Sequence, residues 1–188
     1  GDLAVLRDPG RSRFLLRRGI VLLWLDEQGA FGLPPWARDG LAIVFADGDS
    51  VEAAASAARP RAAAVHERLE ALALGWKRRP PLFDLASNVD RPADLNLPVL
   101  ANAHAWAFFR LCLDPAVRGR AFEGGDVVLA QTLQDYLGRV ALLKGGSARF
   151  EHAWVATFHE LDGADLEAKL LESVKRLARE QGVAWPED

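Results

Sequence analysis

Seven side chains in this sequence are of types, and at spacings, that could do chemistry. "VFADGDS" (44–50) carries Asp47 and Asp49 with one glycine between them, immediately before Ser50. Two carboxylates delivered at the end of a strand are a common way to hold Mg²⁺. The hard cation wants carboxylate oxygens, and the N-terminus of the next helix can take a phosphate. The same residue types also make an ordinary polar turn leading into a Ser50 cap, and turn chemistry favours that reading. A third acid, Asp126, stands in "FEGGDVV" (122–128). The other four residues share one tripeptide: "NAHAW" (102–106) holds His104 and Trp106, and "EHAW" (151–154) holds His152 and Trp154. Neutral imidazoles in an aromatic-lined pocket could bind a small ligand, or a metal if a second acceptor orients each ring. Nothing supplies the remaining ligands of a metal, so His152 is expected to be a packed or half-buried structural side chain satisfied by one hydrogen bond, and no metal is assigned.

A Gly-Gly-Asp turn between two strands is how palm-type nucleotide cyclases and polymerases present a metal-binding acid. With Asp47 and Asp49 on an earlier strand, residues 41–181 resemble such a palm domain in element order: strand, helices, Gly-Gly-Asp hairpin, helix, strand, helix. The resemblance implies a Mg²⁺-dependent enzyme acting on phosphates or nucleotides, with Asp47, Asp49 and Asp126 around the ion. The chain departs from that pattern at Val127, where such families carry an acid, and no lysine-bearing phosphate motif accompanies it. Residues 126–144 also keep helical period from their first position, which competes with the hairpin.

The elements that must position these residues read as follows. Residues 1–19 form a loosely structured start. "GIVLLWLDEQGAFGL" (19–33) reads as a hairpin turning at Asp26–Gly29, and "LAIVFA" (41–46) as a short buried strand. Ser50 caps an alanine-rich helix that Pro60 ends or kinks. Val65, Leu69 and Leu72 give a helix stopped at Gly75. Residues 78–98, which include Asp84, Asp90 and Asp94, read as a long irregular loop without the spacing of a calcium loop. Helices follow at 98–114, 124–146 and 165–181. Residues 150–161, rich in aromatic and β-branched side chains, read as a strand. His152 would then share a face with Phe150, Trp154 and Phe158, and His159 would point the other way. The expected fold class is α+β: a small, largely antiparallel sheet packed with about five helices in a single domain spanning 1–188.

Composition narrows the function classes. The chain has 188 residues, half of them hydrophobic and about a quarter charged, which is globular composition. The single Cys112 excludes an internal disulfide and a cysteine-based zinc site. "IVLLWL" (20–25) is too short to span a bilayer, and no small-residue cleavage pattern marks a signal peptide. A cytoplasmic protein without a membrane partner is expected. Arg7, Arg11, Arg13, Arg17 and Arg18 make the N-terminal region basic, and the segment from Glu151 onward is acidic. A net charge of −3 and few aromatics among the arginines argue against nucleic acid. His66 and Glu70, four apart, read as an exposed helix pair. No G-x-S-x-G, Walker A, Rossmann or C-x-x-C pattern is present. The leading expectation is therefore a non-catalytic interaction or small-ligand-binding domain, with a protein or small molecule as partner. The alternative is the Mg²⁺ enzyme, the one reading that requires a cofactor. Six tryptophans are many for this length, and any exposed one favours the binding reading.

Overall fold

Three prolines open the first three helices. Pro9, Pro35 and Pro60 each stand at the first helical position, where the missing N–H has no intrahelical partner to lose and the ring presets φ. The computed structural model describes residues 9–27, 33, 35–47, 60–78, 97–113, 129–142, 148–159, 161 and 163–186. Among them are seven α-helices and one 3-10 turn, with no strand. The helices are α1 (Pro9–Glu27), α2 (Pro35–Asp47), α3 (Pro60–Gly75), α4 (Leu97–Leu113), α5 (Leu129–Leu142), α6 (Ala148–Phe158) and α7 (Gly163–Glu180). The 3-10 turn, Trp76–Arg78, extends α3.

The expected α+β fold with an antiparallel sheet is thus overturned: the described chain is all helix. Residues 9–27 of the expected loose start and hairpin are α1, while residues 1–8 and 28–32, with most of the expected turn, lie outside the described residues. The expected strand 41–46 lies inside α2, and residues 150–158 of the expected strand 150–161 are in α6. The physical reason is the same in the first two cases. A short, continuous apolar run fits a buried strand and a buried helix equally, and only its neighbours decide. In α2, Leu41, Ala42, Ile43, Val44 and Ala46 are all buried, as in a helix covered on most sides. In α6 and just beyond, Phe150, Ala153, Trp154, Phe158 and Leu161 are buried, a spacing of three and four that belongs to a helix. Aromatic and β-branched content had suggested the strand, and packing overrode that propensity. Pro60 begins α3. The expected helix after Ser50 and most of the expected loop 78–98, with its three aspartates, lie outside the described residues.

The centre of the molecule is α4. Of residues 100–112 all are buried except Asn102 and Arg110, and α4 packs against α2, α3, α5 and α7. Gly40 lets α2 approach closely: a Cβ there would meet Phe109 Cδ2 at 2.7 Å and Ala105 Cβ at 3.0 Å. Two part-buried ion pairs fix α1 on α2, Arg18–Asp39 and Arg38–Asp26, each at 2.7 Å. α7 is amphipathic, burying Leu166, Leu170, Val174 and Ala178, while Leu177 is only partly covered. It ends in a Schellman motif. Gly182 takes φ +68°, Val183 N–H donates to Ala178 O at 2.9 Å, and Gly182 N–H donates to Arg179 O at 3.3 Å. Val183 and Ala178 are both buried, the apolar contact that accompanies this cap. Among the described residues no helix is long and apolar enough to cross a membrane.

Candidate functional site

The strand expected to deliver Asp47 is helix instead. Asp47 is the last residue of helix α2, while Asp49 and Asp126 lie outside the described residues. The strands that the palm resemblance requires before and after its hairpin are α2 and α6. Among the described residues no group of three His, Cys, Asp or Glu side chains could hold a metal ion.

The histidine and tryptophan candidates separate into interior and surface. His104 is fully buried on α4, edge-on to Trp76 with ring centroids 6.3 Å apart. Trp106, also fully buried, has the guanidinium groups of Arg68 and Arg110 at 5.4 and 5.7 Å from its ring. Trp154 on α6 stacks on Phe158 at 4.2 Å and tilts against Phe108 at 5.7 Å. His152 is exposed, contrary to the expectation of a packed or half-buried side chain. His152 lies in α6 and His159 in the turn just past it, so the alternation of a strand does not separate them, and both are exposed. His104 is thus enclosed in the interior while His152 faces outward. The His66–Glu70 pair is present at 3.3 Å and exposed. The other ring nitrogen of His66, Nδ1, lies 3.3 Å from the carbonyl oxygen of Gln181.

Around α4 the aromatic side chains form one interior network. Trp36 stacks on Phe109 at 5.6 Å and on Tyr136 at 6.3 Å, and Tyr136 meets Trp154 edge-on at 5.7 Å. Trp36 Nε1, Trp106 Nε1 and Tyr136 Oη are buried without a hydrogen-bond partner among the described residues. Each such group forfeits water without replacement, at about 1–3 kcal/mol. Burial pushes the Cys112 thiol and the Tyr136 phenol well above their ordinary pKa values. Since the thiolate is the nucleophile, Cys112 is chemically quiet. These groups build the core.

The surface feature that sequence reasoning missed is the outer face of α1. Leu25 is buried and Val21 packs on the core, but Leu16 is 66% exposed, Leu23 65%, Ile20 57% and Trp24 51%. Leu15 is exposed beside them. Leu16, Ile20, Leu23 and Trp24 are spaced four, three and one apart, so they form one stripe. Arg17 and Glu27, both exposed, stand toward its two ends. The signal was in the run 14–25, which is apolar at positions pointing in every direction when wound as a helix. Other exposed apolar residues, such as Leu74 and Leu142, lie singly on other helices and need no explanation.

Comparison with known proteins gives no match to this chain among family models, curated proteins or solved structures.

Proposed function

We propose that this chain is a non-catalytic, cytoplasmic interaction domain whose contact surface is the outer face of α1. The observation that carries the reading is that five large apolar side chains of one helix face water together, while the opposite side of that helix is anchored to α2 and the core. A helix that is apolar on all sides is normally covered on all sides. A contiguous apolar patch flanked by charge is the usual mark of a protein contact. Trp24 is the exposed tryptophan among them, and tryptophan buried on association supplies a large share of binding energy. The histidine, tryptophan and cysteine candidates are interior or isolated and add no competing chemistry.

The test is a photoreactive benzophenone side chain placed at Leu23 in the chain as produced in cells. The expected result is a protein adduct of defined mass that disappears when Leu16→Ser and Trp24→Ser are added. The circular dichroism and melting temperature of that variant should stay close to those of the parent. An absence of adducts, or a collapse of the fold on these two substitutions, would show that the face is no docking surface.

A further inference from the structure

We infer that the partner of this face is a second copy of the same chain, joined through an antiparallel pair of α1 helices. The inference rests on the interaction reading above and names its occupant. In an isologous contact, residue i meets residue j of the copy and j meets i. Ile20 lies in the middle of the exposed stripe and Trp24 one turn further on. The antiparallel register that sets Ile20 against the partner's Trp24 also sets Arg17 opposite the partner's Glu27, because both pairs share one midpoint along the helix. The two-fold axis repeats each pair, giving two apolar and two ionic contacts, and it leaves Leu23 close to the axis. Both ends of the stripe are satisfied by a single register.

That pattern separates a second copy from other occupants. An anionic membrane or an acidic protein would satisfy Arg17 and repel Glu27, both exposed on this helix. A second copy run antiparallel satisfies both, and the two helix dipoles also align favourably. Area is adequate as well. The five side chains leave on the order of 500 Å² of apolar surface, against about 800 Å² per partner in a stable interface, with the charged rim making up the rest.

The experiment is sedimentation equilibrium on the full chain from about 1 to 100 µM, a span that brackets micromolar association. The parent is expected to reach twice its 20.5 kDa mass. Ile20→Glu should be monomeric with unchanged helical content. Arg17→Glu or Glu27→Arg alone opposes like charges in both symmetric pairs and should weaken the dimer about tenfold or more. Combining the two should restore parental affinity to within about threefold, and these surface variants keep the test valid if Ile20→Glu fails to fold. A parent that stays monomeric across the range, or a double variant no better than the singles, overturns the inference. If the cross-linker at position 23 then captures a different protein, the interaction reading survives alone. If it captures none, both fall.

Discussion

Helices α1 and α4 each contain a long apolar run, and the two runs meet opposite circumstances. Each run presents apolar side chains in every direction, yet α4 is enclosed by α2, α3, α5 and α7, whereas among the described residues α1 packs chiefly against α2. In α4 even His104 is wholly buried, and in α1 a tryptophan and three leucines are exposed. The difference teaches that apolar content reports how much covering a helix requires. It does not report whether this chain provides it. Where the covering is internal, the product is a core. Where it is missing, the product is a surface that a partner must close.

The comparison can be broken at three points. The strongest is Phe108→Ala on α4. Phe108 is fully buried among Trp36, Phe109, Trp154 and Phe158, so its removal leaves a cavity and should cost roughly 3–5 kcal/mol in urea unfolding. A cost below about 1 kcal/mol, the scale of a surface substitution, would mean that α4 is not the centre of the fold.

The next contrasts two helix glycines. Gly40→Ala drives a methyl group into Phe109 and Ala105, and Phe109 is itself held by Trp36 and Phe108, so a loss of about 1–3 kcal/mol is expected. Gly19 in α1 has nothing within 4 Å of a built Cβ. Gly19→Ala should therefore raise stability by up to about 1 kcal/mol through helix propensity. Thermal melts of the two variants should move in opposite directions. Equal shifts would erase the distinction between the enclosed and the open helix.

The smallest effect is at Tyr136. Its hydroxyl is buried with no hydrogen-bond partner among the described residues, so Tyr136→Phe should raise stability at neutral pH by about 1 kcal/mol, the low end of the desolvation cost of such a group. It should also act at high pH. Ordinary thiol and phenol pKa values are about 9 and 10, and burial raises both Cys112 and Tyr136 in the folded chain. The unfolded chain then releases these protons while the folded chain still holds them. Stability is full below about pH 9 and falls as pH rises through 9 and 10 toward the folded values. Urea midpoints between about pH 7 and 11 should show this decline, and Tyr136→Phe should remove its upper part. An unchanged profile would mean that the interior around α4 admits water.

What the sequence by itself determined is the set of helices whose apolar residues keep helical period within strong boundary signals. Val65, Leu69 and Leu72 with Gly75 marked α3, Leu129 to Val140 marked α5, and Leu166, Leu170 and Val174 with Gly182 marked α7, because amphipathic period and a glycine stop are local properties. The length and apolar content of α4 marked it as a buried helix for the same reason. Tertiary structure alone decided α1, α2 and α6. Their apolar runs satisfy a strand or a helix equally until a neighbouring surface selects one face. It also decided the site. His152 and Trp154 are adjacent in one motif, and whether each meets solvent or core depends on how α6 lies on α4 and α5. The open face of α1 was the least legible. Exposure is a property of what fails to pack against a residue, and no stretch of sequence records the neighbours it lacks.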